Sequence, residues 1–228
     1  MIDSTTSTLL PRRCGNFQAM IENISDSSVR RLSAYLRQLE HFSADGVAVV
    51  SSQLLARRMN VGDAMIRRDL ALFGQFGRPG VGYDVDQLTA NLRKILGTNM
   101  RWNTVILGAG KLSRALMEYP GFHERGFEIV AAFDIDPRKV DTKVGDIPIH
   151  HMDELETILA QCQARIAILT VPAEVAQQVT DRLAGAGIDG ILNFATTHLE
   201  TPQGIHIDQV DITAHLEQLC FHATNAIP

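Results

Sequence analysis

Cysteine is scarce in this 228-residue sequence. Its three, Cys14, Cys162 and Cys220, lie far apart with no C-x-x-C pair. That argues against a disulfide framework or a structural zinc and leaves reduced core or surface thiols. No apolar run reaches transmembrane length, and Met1 to Thr8 lack the basic-then-apolar order of a secretory leader. A soluble, cytoplasmic protein with no membrane partner is expected. A convincing set of proton-transfer groups is missing too, since His150, His151 and His198 are isolated histidines at loop positions, ordinarily solvent-facing. No catalytic and no metal site is expected. What is present, 45% hydrophobic and 21% charged residues, suits one large globular domain or two modest ones.

Charge divides the chain. Residues 1–100 carry 12 lysines and arginines against 9 acids, a net of +3, whereas residues 101–228 carry 9 against 17, a net of −8. A basic first part suits a polyanion, and an acidic second part would have to hold a nucleotide through backbone amides.

Residues 1–27 are aperiodic and rich in Ser and Thr, and read as a poorly ordered arm. From Ser28, Val29, Leu32, Leu36 and Leu39 repeat at helical spacing over three to four turns, with Asp26 or Ser27 as cap. A β-prone run, Val47 to Val50, precedes a short helix capped by Ser51 and Ser52. After the Asn60-Val61-Gly62 turn, Asp63 is expected to cap a third helix, Ala64 to about Phe73, with Ile66, Leu70 and Phe73 facing the core. Ala64, Arg67 and Arg68 then face outward. Small residues with arginines suit a helix entering a major groove. Residues 74–85 read as a glycine-rich hairpin with Arg78 near its tip, a wing that can reach the backbone or minor groove. Together these make a winged helix, residues 28–98, with candidate DNA contacts Ser51, Ala64, Met65, Arg67, Arg68, Arg78, Gly80 and Tyr83. A further helix, Val85 to Leu96, stops at Gly97.

Residues 99–208 alternate strand and helix, which predicts a Rossmann-like α/β domain with a doubly wound parallel sheet. The apolar run Val105 to Leu107 breaks into Gly108-Ala109-Gly110-Lys111-Leu112 and becomes helix-periodic, a strand turning into a helix whose amides can meet a pyrophosphate. The third glycine of G-x-G-x-x-G is missing: Ser113 stands there, and its hydroxymethyl group predicts a slightly displaced helix. Glu128 to Phe133 is a second strand ending in Asp134, 26 positions after Gly108, where an acid can bind the adenosine ribose and repel a 2′-phosphate. Ile135 follows it, and Arg138 and Lys139 weaken that exclusion. Met152 to Cys162 and Glu174 to Ala186 have helical period, and Arg165 to Val171 and Gly190 to Phe194 are buried strands. The strand ends Thr170-Val171-Pro172 and Asn193-Phe194-Ala195 complete one crevice, with Asn193 and Ala195 its candidate contacts.

Over roughly residues 28–224 the chain resembles the Rex family of redox-sensing transcriptional repressors. The stretches that carry this are Ile66 to Leu70, Phe73 to Gly77, Gly80 to Tyr83, Gly108 to Leu116, Tyr119 to Phe122, Phe133 to Pro137, Thr170 to Ala173 and Gly187 to Ala195, in the same order. The resemblance implies a homodimer in which NADH and NAD+ compete for the crevice, NADH favouring release from an inverted-repeat operator on double-stranded DNA and NAD+ permitting binding. It also implies that the apolar helix after Val210, with Ile212, Leu216, Leu219 and Ala223, is exchanged between subunits within residues 209–228. By the same resemblance Arg37, Tyr119 and Asp211 form a set whose bonds change between the two states. Relatives usually have glutamine where Met65 stands and often arginine where Pro79 stands, so a different operator preference is expected. Two other classes stay open: an NAD-dependent oxidoreductase with an accessory N-terminal domain, and a metabolite-binding dimer whose basic domain contacts protein. A helix packed within its own subunit, capped by Asp211, is the alternative for the C-terminus.

Overall fold

The computed structural model describes residues 24–78 and 80–225. The proposed arm through residue 23, Cys14 and Pro79 lie outside the described residues. The chain divides into two units that part between Asn99 and Met100.

In the first unit, helix α1 (Asp26–Ala44) is longer and earlier than its periodicity suggests. The cap is Ser25 and not Asp26 or Ser27: Ser25 has extended backbone and its hydroxyl accepts from the Ser28 amide. Asp26 sits in the first turn instead, where a carboxylate complements the helix dipole. Residues 26 and 27 therefore belong to the helix. Leu32, Tyr35, Leu36, Leu39 and Phe42 are buried, whereas Val29 is 40% exposed. Strand β1 (Val49–Val50) is shorter than the β-prone run. Helix α2 (Ser52–Met59) starts after Ser51, whose hydroxyl accepts from the Leu54 amide at 3.1 Å. Helix α3 (Asp63–Ala71) corrects the expected cap: Gly62 is the N-cap and gives no side-chain bond, and Asp63 is already helical. Ile66 and Leu70 are buried as the stripe requires, and Phe73 packs from beyond the helix end.

Strands β2 (Gly77–Arg78) and β3 (Gly82–Asp84) form the hairpin, and β1 pairs with β3, so the order is β1-β3-β2, all antiparallel. Gly82 permits this join. A Cβ there would stand 2.6 Å from the Val50 carbonyl oxygen, and its φ of +108° disfavours any side chain. Asp84 caps helix α4 (Val85–Ile95) through the Gln87 amide, and Val85, Leu88 and Leu92 close the core against α1. Each fully buried leucine contributes roughly 1.5–3 kcal/mol.

The second unit is built on β4 (Trp102–Leu107), followed by α5 (Lys111–Met117), α6 (Pro120–Glu124) and β5 (Phe127–Asp134). A two-residue β6 (Lys143–Val144), β7 (Ile147–His151), a 3-10 turn at Met152–Glu154 and α7 (Leu155–Cys162) come next, then β8 (Ile166–Leu169), α8 (Ala173–Gly185), β9 (Gly190–Asn193) and β10 (His206–Gln209). The sheet order is β10-β9-β8-β4-β5-β7-β6, parallel except for β6. Alternation along β4 supplies both faces: Val105 and Leu107 enter one core, Ile106 the other. The chain builds from β4 towards β6 and then crosses over to β8, so the switch point lies between β4 and β8.

Helix α9 (Ile212–Asn225) has no buried residue, and Ile212, Leu216, Leu219 and Phe221 are 57–63% exposed. Among the described residues its apolar face is therefore left uncovered, and Asp211 caps it, accepting from the Ala214 amide at 3.0 Å. No described helix is long and apolar enough to cross a membrane.

Candidate nucleotide crevice and nucleic-acid interface

The carboxyl ends of β4, β5, β8 and β9 place most of the crevice candidates together in the second unit. Gly108 turns the chain at φ +94°, and a Cβ there would lie 3.1 Å from both the carbonyl and hydroxyl oxygens of Thr170. Glycine here is imposed by β8. Gly110 differs: nothing in the chain lies within 4 Å of where its Cβ would be. The space in front of Lys111 and Leu112, both exposed in the first turn of α5, is therefore open, as close approach of a ligand backbone requires.

Asp134 closes the other side. Its Oδ2 accepts from the Ala109 amide at 2.7 Å and the Lys139 ammonium at 2.9 Å, and Oδ1 accepts from the Asp136 amide at 2.9 Å. Burial pushes its carboxyl up, but the Lys139 ammonium and these amides outweigh burial and hold it below its ordinary value. Arg138 forms a two-pronged pair with Asp136, which it holds at about 2. Both cations noted beside the acid are thus engaged with carboxylates. Ile135 is 73% exposed between them.

At the switch point, Thr170 donates to the Leu107 carbonyl at 2.7 Å, and Ser113 Oγ stands 2.8 Å from Thr170 Oγ1. With the threonine hydrogen committed to Leu107, the serine is the donor. Ser113 is fully buried, so the missing glycine is replaced by a hydroxyl that ties α5 to the end of β8. Val171 is half-buried and Pro172 exposed as the N-cap of α8.

Asn193 is directed into the fold. Its Nδ2 donates to Gln209 Oε1 at 2.6 Å and its Oδ1 accepts from the Ala195 amide at 2.9 Å, while Gln209 Nε2 reaches the Ala195 carbonyl. Gln209 escaped sequence reasoning because β10, His-Ile-Asp-Gln, has no apolar run to mark it. The isolated histidines have structural partners: His150 lies tilted against Phe133 with ring centroids 5.9 Å apart, and His151 accepts from the Asp153 amide as cap of the 3-10 turn. His198 is exposed.

In the first unit, Ala64, Arg67 and Arg68 are exposed on α3 and Met65 is 42% exposed, opposite Ile66 and Leu70. A cleft lined by Ser51, Ser52, Arg67, Arg78, Gly80 and Tyr83 runs between α2, α3 and the wing. Burial pushes the Tyr83 phenol up, while the nearby Arg67 charge pulls it down. Arg67 donates to Asp63 Oδ2 at 2.5 Å and to Ser52 Oγ at 3.1 Å.

A buried network escaped sequence reading. Asp69, 2% exposed and adjacent to Arg68, accepts from Arg31 Nε and Nη2 at 2.6 and 2.7 Å and from the Tyr35 hydroxyl at 2.6 Å. Burial pushes Asp69 up, yet Arg31 and Tyr35 hold it below its ordinary value. Arg31 and Tyr35 stand four apart on α1, so a basic and a phenolic group on its inner face were the available signal. Arg37 is exposed on α1; in the second unit Tyr119 is 56% exposed, edge-on to Phe122, and Asp211 is exposed at the start of α9.

A redox-sensing transcriptional repressor Rex of Carboxydothermus hydrogenoformans is 44% identical over 199 residues, covering 87% of this chain and 96% of the relative. The chain belongs to the Rex family. The Rex-family repressor RSP in complex with β-NAD+ and operator DNA matches 88% of the chain and 93% of its own, with TM-score 0.84 and 36% identity. RSP in complex with β-NADH matches with TM-score 0.81 and 35% identity, covering 89% of this chain and 95% of that one. A family described as "Putative DNA-binding protein N-terminus" matches residues 23–71, and one described as "CoA binding domain" matches residues 99–197. The winged helix followed by a Rossmann-like parallel-sheet domain is the architecture of this Rex chain.

Proposed function

We propose that this Rex chain is a transcriptional repressor that reads the NADH/NAD+ ratio as a homodimer. It holds inverted-repeat operator DNA through α3 and the wing, and leaves it when NADH occupies the crevice. One observation carries the reading: a repressor solved both with NAD+ on operator DNA and with NADH matches nearly nine-tenths of this chain.

The residues present fit a dinucleotide. The open space at Gly110 leaves the amides of Gly110, Lys111 and Leu112 free to approach a pyrophosphate. Asp134, kept ionised, accepts hydroxyl hydrogens of an adenosine ribose and repels a 2′-phosphate. Thr170, Val171 and Pro172 stand at the end of β8, where a nicotinamide would lie, and the buried Asn193 and Ala195 hold the end of β9 beside it. The reduced ring is uncharged and the oxidised ring cationic, so an apolar enclosure favours the reduced form. Ile212, Leu216 and Leu219 supply such an enclosure once α9 covers the partner subunit, and Arg37, Tyr119 and Asp211 are the polar groups that exchange partners.

Arg67, Arg68 and Arg78 neutralise phosphates and reach base edges, with Ser51, Ala64, Met65, Gly80 and Tyr83 shaping the contact. A ligand moves the dimer between DNA-competent and DNA-incompetent states only by its difference in affinity for the two, so NADH must bind the second state better than NAD+ does. No bond is made or broken, and the chain acts as a sensor.

Titrating NADH and NAD+ into protein bound to a labelled inverted-repeat operator tests ligand, DNA and coupling together. Release by NADH, opposed by added NAD+, is expected. Release by neither, or steady oxidation of NADH against a panel of hydroxy- and oxo-acids, would overturn the reading.

A further inference from the structure

The DNA-facing surface of the first unit carries an acid that the repressor reading does not use. Asp63 is the first residue of α3, a helix whose N-cap, Gly62, offers no side chain. Its carboxylate accepts from Arg67, one turn further along the helix, at 2.5 Å, and the same Arg67 nitrogen donates to Ser52 Oγ on α2 at 3.1 Å. The guanidinium is held between α2 and α3, although the Arg67 side chain is 53% exposed and lines the cleft beside the wing. Arg68, its neighbour on the same face, has no such tether among the hydrogen bonds and ion pairs of the described residues.

This matters because a free arginine serves any duplex. It neutralises a phosphate, releases about one counterion and adds about 0.9 to the slope of log affinity against log salt, whatever the sequence. An arginine already paired with a carboxylate has little net charge to give, and approaching phosphates meet the carboxylate as well. What remains is a donor fork fixed in direction, which suits a base edge or one particular phosphate.

We infer that Asp63 is a specificity-determining positioning residue: by pinning Arg67 against Ser52 it suppresses sequence-blind phosphate binding and reserves Arg67 for the operator. The inference rests on the proposal that α3 faces DNA.

The test uses full-length, NAD+-loaded protein with two duplexes: an inverted repeat selected by the wild-type protein from a random pool, and a random duplex of equal length. Asp63→Asn keeps the size and loses the charge. It should raise affinity for random duplex about fivefold, steepen its salt slope by about one, and cut the operator-to-random preference at least fivefold. In an Arg67→Ala background the same substitution should leave the preference unchanged, because Asp63 acts through Arg67. A cooperative denaturant transition of the first unit, retained in each variant, reports that α3 is folded. A preference within twofold of wild type in Asp63→Asn, or an equal loss in the Arg67→Ala background, would overturn the inference alone. A wild-type protein with no preference for any inverted repeat would remove the reading beneath it as well.

Discussion

Each unit keeps one buried or nearly buried carboxylate at its working element, and the two are held in different ways. Asp69, behind the exposed face of α3, takes a two-pronged, partly exposed arginine and a fully buried tyrosine hydroxyl, both from α1. Asp134, at the lip of the crevice, takes two backbone amides and a lysine whose side chain is 31% exposed. The first is a fastener: a guanidinium that grips both carboxylate oxygens and a buried phenol share one acceptor fixed inside the fold. The second is an adjustable acceptor in the proposed function, because a flexible ammonium can yield to incoming hydroxyls without leaving a buried charge unpaired. A rigid reading head and an adaptable sensory lip are what a repressor with a ligand switch needs.

Breaking the fastener should have the largest effect. Asp69→Ala leaves the Arg31 guanidinium and the buried Tyr35 hydroxyl without their shared acceptor, a loss of about 2–3 kcal/mol. Denaturant melts of the isolated transition of the first unit should show it, with operator binding lost in parallel; a loss below 1 kcal/mol would make the network ornamental. The pH response has a definite sign. The folded Asp69 carboxyl lies below its ordinary value of 3.8, so its contribution is complete above that value and is lost as pH falls through the folded one. The folded Tyr35 phenol lies above its ordinary value of 10.0, pushed up first by burial and then by its bond to Asp69. Its contribution is complete below pH 10 and is lost as pH rises further. Stability of this unit should therefore plateau between about pH 5 and 10.

Arg68→Ala comes next. It removes an exposed guanidinium from the outer face of α3 and leaves the Asp69 network in place. Operator affinity in a mobility-shift titration should fall by an amount worth about 1–3 kcal/mol, with NADH binding unchanged. Equal affinity would take α3 out of the groove.

These two neighbours, one foreseeable and one not, show what the sequence makes legible. The outward set of α3 follows from its period, because Ile66 and Leu70 fix the inner stripe. Asp69 is invisible to that logic, since a carboxylate is assigned to solvent unless its partner is known, and Arg31 is 38 positions away. The crevice divides likewise. Gly108 and Asp134 were legible because a tight turn and a strand-end acid have fixed offsets in this fold. Gln209 and β10 were not: an edge strand of four mostly polar residues is recognised only by the strand it joins. Cap residues were misplaced by one or two positions, Ser25 for Asp26 or Ser27 and Gly62 for Asp63, because neighbouring polar residues compete for one geometry.

The adjustable acceptor is probed by Asp134→Ala. The variant frees Lys139 and removes the charge that would repel a 2′-phosphate, so discrimination between NADH and NADPH should narrow by about 1–2 kcal/mol, roughly five- to thirtyfold in the ratio of affinities. Fluorescence titration of both dinucleotides checks it. An unaltered ratio would remove Asp134 from the site and leave it a loop-former for Asp136.

The smallest expected effect belongs to Ser113→Gly, and it separates two meanings of the missing glycine. If the serine merely occupied space between α5 and the sheet, restoring glycine would relieve crowding and tighten NADH binding. In the structure its hydroxyl bridges to Thr170, whose own hydrogen is committed to the Leu107 carbonyl. Removing it deletes a buried hydrogen bond, worth about 1 kcal/mol, and adds glycine's backbone freedom to a helix. Ser113→Gly should therefore melt earlier and bind NADH no tighter than wild type, and Ser113→Ala, which keeps helix propensity and loses only the hydroxyl, should recover part of the stability. Tighter NADH binding by Ser113→Gly would show that the serine displaces α5 at the expense of the sensory site, and that the hydroxyl bridge is its compensation.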